Sequence, residues 1–226
     1  MRSLCIDTSV AATIALVKDG VTLGQATDPD SRHQAEGLGL LLDRVLVGAG
    51  ITAGAASAKI DRIVVGVGPG PFTALRAGIA FASALGRGLE VPVLGVPSLD
   101  ALGWQATREH ADTDVLVLTD AKRREVYSAV YRKNGGGGIF EQAGAQVGSL
   151  AAALERASST PTTVFYSGVR PAHLEDGLAS VGAADVVLDP TALSHVADER
   201  TKDNPQVQFP LDPLYLRRPD VQGGTA

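Results

Sequence analysis

Two periods of apolar residues organise this chain, and they alternate. Leu4-Cys5-Ile6 reads as a buried strand ending at Asp7-Thr8-Ser9, residues 12–17 as a second strand closed by the turn Asp19-Gly20, and residues 21–26 as a third. The period then lengthens. Across residues 31–50 the apolar positions Leu38, Leu41, Leu42, Val45, Leu46 and Ala49 recur at the spacing of a helix with one buried face, and Gly50 suits its C-cap. The apolar run 63–67 enters the loop Gly66-Val67-Gly68-Pro69-Gly70-Pro71, and a helix is predicted to leave it over residues 72–88. In that helix Ala74, Gly78, Ala82 and Gly86 recur every fourth residue, a ridge of small side chains that lets another helix approach closely. Glycine inside a helix otherwise costs about 1 kcal/mol against alanine, so a helix is expected to pack there, either the chain's own 31–50 helix or one from a partner. Residues 93–96 are predicted as a strand, with Ser98 as the N-cap of a helix over 99–106.

The pattern then restarts. The run Val115-Leu116-Val117-Leu118-Thr119 leads to Asp120, a turn follows, and an alternating strand over 126–131 closes at Asn134-Gly135. Asp120 takes the place of Asp7 and Asn-Gly the place of Asp-Gly, so the layout reads as an internal duplication. Beyond residue 139 the signal is sparser: a helix over 149–157, a strand over 163–166 ending at Ser167-Gly168, a short helix over 193–199, and then Pro205, Pro210 and Pro213 breaking regular structure.

Composition narrows the classes. With 226 residues, 45% hydrophobic and 20% charged, the chain is globular, with room for one large domain or two small lobes. A net charge of −5 argues against a standalone nucleic-acid binder. The single cysteine, Cys5, excludes an internal disulfide and a cysteine-based zinc cluster, and its apolar neighbours suggest core packing. No apolar run reaches the length of a membrane span, so a cytoplasmic protein with no membrane partner is expected.

A strand, a glycine-rich loop and a helix in succession form the layout of an anion site, where glycines allow close approach and helix-start N–H groups face a negative ligand. Gly68, Gly70 and the hydroxyl of Thr73 are the candidate donors there, and a strand-to-helix turn needing glycine only for its geometry is the plain alternative. Neither a Walker loop nor G-x-G-x-x-G fits the spacing Gly66, Gly68, Gly70.

Ile6-Asp7-Thr8-Ser9, the segment from Gly66 to Gly78, Asp120-Ala121-Lys122-Arg123-Arg124-Glu125-Val126-Tyr127 and Pro213-Leu214-Tyr215-Leu216-Arg217 occur in the order of the TsaB family, which the chain resembles over most of its length. That family is the bacterial subunit of the machinery that makes threonylcarbamoyladenosine in the anticodon loop of tRNA. The family loop reads Gly-Pro-Gly-Ser-Phe-Thr-Gly, where this chain has Pro71 for the serine and Ala74 for the last glycine. The resemblance implies an α/β, two-lobed actin-like fold of the ribonuclease H-like type, with βββαβα lobes over 1–108 and 109–218 and a flexible tail over 219–226. It places Asp7, Thr8, Ser9, Gly68, Gly70, Thr73 and Asp120 as candidate nucleotide- or phosphate-binding residues across the cleft. Catalytic relatives carry His-x-x-x-His for a metal. Here His33 stands at the first position and Gly37 at the second, and one histidine with a glycine does not chelate an ion as a pair does.

The leading expectation is thus a non-catalytic subunit, without a tightly bound cofactor, that pairs with the catalytic paralogue TsaD. The expected interface is His33, Leu38, Leu41, Leu42 and Val45 with Ala74, Gly78, Ala82 and Gly86, and the same surface would form a self-dimer in isolation. ATP or ADP would sit at the complex interface, a TsaE-like ATPase would join, and tRNA would be met only through the complex. An independent ATPase or kinase using Asp7 and Asp120 is the alternative, although a Gly-Gly-x-Ala-like adenine loop is missing. A peptidase, suggested by an old glycoprotease label on the wider family, finds no G-x-S-x-G or H-E-x-x-H here. The cluster Lys122-Arg123-Arg124 with Arg132 and Lys133 is the one local feature suggestive of RNA, against a plainer reading as a solvated turn.

Overall fold

A computed structural model describes residues 1–28, 34–108, 110, 113–133, 139–158 and 160–217. His33, the Asn134-Gly135 turn and the 219–226 tail lie outside the described residues. The first half runs β1 (Arg2–Asp7), β2 (Ala12–Lys18), β3 (Val21–Asp28), α1 (Gln34–Gly48), β4 (Arg62–Gly66), α2 (Phe72–Leu89), β5 (Val93–Val96) and α3 (Ser98–Thr107). The second runs β6 (Asp114–Asp120), β7 (Val126–Lys133), β8 (Ile139–Gly148), α4 (Leu150–Ala157), β9 (Thr162–Ser167), α5 (Ala172–Ser180), β10 (Ala184–Asp185) and α6 (Thr191–Asp203). The sheets are ordered β3-β2-β1-β4-β5 and β10-β9-β6-β7-β8, so the second repeats the first strand for strand. In each, three antiparallel strands are followed by two parallel ones that require helical crossovers. The duplication and the actin-like fold are therefore present, with each half extended to βββαβαβα. Three elements were not foreseen: β8, α5 and β10.

Local chemistry sets the helix ends. After α1, Gly50 takes φ +74° and donates its N–H to Val47, while Ile51 donates to Leu46, the pairing that closes a helix through a left-handed residue. After α2 the same pairing is made by Glu90 at φ 56°. Ser149 caps α4, accepting from Ala152 N at 3.2 Å. Ser98 does not cap α3. Pro97 occupies that position and the Ser98 hydroxyl turns inward.

Three apolar layers hold the molecule together. Outer cores lie between α1 and α2 and the first sheet, around Leu4, Ile6, Leu41 and Val45, and between α4 and α5 and the second sheet, around Leu116, Leu118 and Leu178. A central core joins Cys5, Val64, Leu102, Val117, Tyr131 and Val196, with α3 and α6 between the two sheets. Each large side chain buried in this way contributes about 1.5–3 kcal/mol. Within the centre, α3 packs chiefly on β6, β7 and β8, and α6 on β1, β2, β4 and β5, so each half sends its last helix to the other half's sheet. Buried polar groups fix the exchange. Arg62 of β4 donates to Ser3 Oγ at 2.8 Å and Ser194 Oγ at 2.9 Å and pairs with Asp198 of α6 at 2.7 Å. Asp100 of α3 accepts from Tyr131 of β7 at 2.7 Å and pairs with Arg200 of α6. Burial pushes the Asp100 carboxyl up and the Cys5 thiol up to about 12, which suits the packing role expected of that cysteine.

The proline-rich C-terminal segment is a strap rather than a loop. Gly95 N donates to Phe209 O at 3.2 Å and Leu214 N to Val67 O at 2.8 Å, so the strap meets the edge of β5 at Gly95 and reaches the loop after β4 at Val67. Among the described residues no helix is long and apolar enough to cross a membrane.

Candidate functional site

At the end of β1 the chain must turn sharply while fully buried, and Asp7 satisfies that turn. One carboxylate oxygen accepts from Ser9 N at 2.7 Å and Ser9 Oγ at 2.6 Å, and the other accepts from Ser98 Oγ at 2.5 Å. Asp7 has no exposed surface, and desolvation pushes its carboxyl above the ordinary carboxylate range even against these three donors. Thr8 Oγ1 donates to Ala74 O at 2.8 Å, which ties the turn to the first turn of α2.

The glycine loop lies against this turn. A Cβ on Gly66 would overlap Asp7 Oδ2, so only glycine admits the carboxylate. Gly68, at φ +99° and followed by a cis bond to Pro69, donates N–H to Ser98 Oγ at 3.2 Å and accepts from Ser98 N at 2.7 Å. A Cβ on Gly70 would lie 2.8 Å from Ser9 Cα. The loop glycines thus bring three backbone segments together, and Thr73 stays exposed at the start of α2. Ser98 was missed as a site residue because 91 positions separate it from Asp7.

Asp120 ends β6 as Asp7 ends β1, with a different environment. It accepts from Lys122 N at 2.8 Å and pairs with Lys122 Nζ at 2.7 Å, at an exposed turn. Lys122, Arg123 and Arg124 all take left-handed backbone, φ 61°, 54° and 65°, closed by Glu125 N donating to Lys122 O at 3.0 Å. Such a conformation costs an L residue about 1–2 kcal/mol. Burial and the Asp120 charge both push the Tyr127 and Tyr166 hydroxyls up.

Between the halves lies a cleft of about 250 Å³. Asp7, Val10, Ala11 and Thr13 line it from one side, and Ser167, Gly168, Val169, Asp185, Val186 and Leu188 from the other. Val10 crosses it, with Cγ1 only 3.1 Å from where a Cβ on Gly168 would lie. Of the candidate nucleotide residues the cleft brings in Asp7 alone; Thr8, Ser9, Gly68, Gly70, Thr73 and Asp120 do not line it. Among the described residues no Lys or Arg lines it; its ionisable groups are Asp7 and Asp185, the latter paired with Arg170 at 2.7 Å, so the lining offers no cation to a polyphosphate and is a poor setting for one on its own.

The helix faces expected at a partner interface need correction. Leu38, Leu41, Leu42 and Val45 are buried in the core beneath α1. The small-residue ridge faces this chain's own strands and turn: a Cβ on Gly78 would lie 2.5 Å from Thr8 Oγ1, one on Gly86 would overlap Val93, and Ala74 and Ala82 are buried. Small residues there let α2 lie close to β1, β4 and β5, and the second helix packed on α2 is the chain's own α1. The outward faces are other residues, Leu40, Asp43, Arg44 and Val47 on α1 and Ala80, Ala84 and Arg87 on α2.

Residues 28–170 match the family model described as TsaD, tRNA N6-adenosine threonylcarbamoyltransferase. An uncharacterized protein of Mycobacterium tuberculosis is 38% identical over 225 residues, 97% of this chain and 93% of its own length. The Escherichia coli tRNA threonylcarbamoyladenosine biosynthesis protein TsaB is 34% identical over 138 residues, 61% of this chain and 58% of that protein. The solved structure of YeaZ from Pseudomonas aeruginosa superposes with a TM-score of 0.70 at 26% identity, covering 95% of this chain and 99% of that one. Together with the paired sheets and the Asp7 turn, these likenesses lead to one assignment: the chain belongs to the TsaD family, among its TsaB proteins.

Proposed function

We propose that this chain is a non-catalytic scaffold subunit in the synthesis of threonylcarbamoyladenosine in tRNA, pairing with a catalytic paralogue of the TsaD type. The carrying observation is the closed Asp7 turn: three donors of the chain itself already engage both carboxylate oxygens of a fully buried group, which disfavours a role in holding a metal or phosphate. Gly37, where a catalytic relative would place its second histidine, supports the same reading. Two lobes, 1–108 and 109–218, would keep the actin-like frame while the chemistry belongs to the partner. Pairing would use the outward faces of α1 and α2, where Leu40 is 64% and Val47 65% exposed. A chain without its partner would close the same faces on a second copy. ATP or ADP would sit at the joint between subunits, with a TsaE-like ATPase as a further partner, all in the cytoplasm.

The test is co-expression with the paralogue. Wild-type chain should co-elute with it and restore threonylcarbamoyladenosine to tRNA, and Leu40→Glu with Ala84→Glu should abolish co-elution while the chain still folds. Co-elution unaffected by both changes would refute the interface. The alternative, an independent ATPase or kinase, has the cleft between the lobes as its site but lacks a cation there among the described residues, and measurable ATP turnover by the lone chain, lost in Asp7→Ala, would establish it in place of the scaffold.

A further inference from the structure

The C-terminal strap joins two features that the scaffold role does not use. From the β5 edge it passes over the start of α2, where Tyr215 stacks on Phe72 at 5.1 Å and accepts from Arg76 Nε at 3.0 Å. The Arg76 guanidinium in turn lies 4.0 Å from the centre of the Phe72 ring. Two residues on, Arg217 pairs with Glu125, at the foot of the left-handed turn carrying Lys122, Arg123 and Arg124. The strap therefore stacks its own Tyr215 on Phe72 of the first half and, two residues on, reaches a basic turn of the second. Phe72 and Tyr215 stay 42% and 37% exposed, large for side chains whose partners are each other. Segments 72–76, 120–125 and 212–217 hold five cationic residues against Asp120, Glu125 and Asp212, on a chain whose net charge is −5. The Lys122 side chain is 77% exposed. Successive left-handed residues with no glycine among them are costly and persist where a surface is put to use; here they hold three long cations outward.

We propose that this patch, Phe72, Arg76, Lys122, Arg123, Arg124 and Tyr215, is a binding surface for the single-stranded part of an RNA, with the cations on phosphates and the exposed rings stacking on bases. Exposed aromatic rings beside clustered cations are what an unpaired strand requires, since every base has a face to stack and every nucleotide a charge. An acidic protein face would need the cations and leave the rings unused. The proposal rests on the scaffold reading, in which the assembly acts on tRNA, and it gives this subunit its own contact with that substrate.

Binding of a labelled, unmodified tRNA transcript is measured by anisotropy on the chain assembled with its paralogue and on the chain alone, from about 50 to 200 mM salt. Lys122→Glu with Arg124→Glu should weaken binding at least about tenfold at the lower salt and flatten the dependence of log affinity on log salt by about 0.7 for each phosphate no longer neutralised. Tyr215→Ala should weaken binding about fivefold or more and leave the slope unchanged. Unaltered affinity and slope in both variants, with native circular dichroism, would overturn the proposal. So would loss of co-elution with the paralogue while RNA binding by the chain alone is retained, because the patch would then be a protein contact. Failure of the wild-type chain to assemble would instead strike the scaffold reading, and the titration on the chain alone would still decide this one.

Discussion

Asp7 and Asp120 end equivalent strands of equivalent sheets, yet Asp7 is fully buried while the Asp120 side chain keeps 19% of its surface exposed. Asp7 is held by two serines and a glycine loop in a turn without solvent, whereas Asp120 is held by a lysine at the surface, before three left-handed residues. Repetition of the backbone thus fixed where an acid sits but not what it faces. The first turn became a structural joint, and the second kept its charges in water.

The contrast is most sharply broken at Gly66. Gly66→Ala drives a Cβ into Asp7 Oδ2 with no space for relief, and a loss of roughly 3 kcal/mol or more is expected, read as a lowered urea midpoint. Ser98→Ala leaves a buried carboxylate oxygen without its donor and should cost about 1–3 kcal/mol in the same measurement. Asp7→Asn tests the electrostatics. Because the folded-state value is raised above the ordinary 3.8, the folded protein holds a proton that the unfolded chain releases. Asp7's contribution is therefore greatest at or below that ordinary value and is lost as pH rises through the folded value. The stability of wild type relative to Asp7→Asn should fall across that window and then level, and parallel pH curves for the two proteins would refute it. On the Asp120 side the effects are smaller. Arg124→Gly should relieve left-handed strain at some cost in unfolded-chain entropy, a net gain below about 1 kcal/mol in thermal melts. Lys122→Ala, an exposed pair, should move stability by less than about 0.5 kcal/mol.

The sequence made the frame readable wherever burial was one-sided and continuous. β1, β2, α1 and α2 all announce themselves by period, and the restart at Val115 exposes the second half. β8 escaped because its alternation is carried by Ala143 and Ala145 beside Gly144, small residues with little strand preference, α5 because Gly177 weakens its helical signal, and β10 because its two residues are both exposed. Within the site, Asp7 and the glycine loop were legible as a pair of motifs meeting at strand ends. Ser98 was not, since a serine ahead of an apolar stretch reads locally as a cap and only the tertiary fold turns its hydroxyl toward Asp7. The ridge of Ala74, Gly78, Ala82 and Gly86 shows the converse difficulty: small residues report that something comes close without naming it, and here it is the chain's own Thr8 and Val93.

The exchanged helices α3 and α6 carry a consequence for ancestry. A half-length chain ending after α3 would leave the apolar face around Leu99 and Leu102 in water, because the sheet that covers it belongs to the other half. Two identical half-chains could each cover the other's last helix, as these halves do, so a forerunner of half this length would have been viable as a symmetric pair and unstable as a monomer. Joining two such copies end to end would have turned an encounter between molecules into an encounter within one chain, after which the two acids were free to diverge.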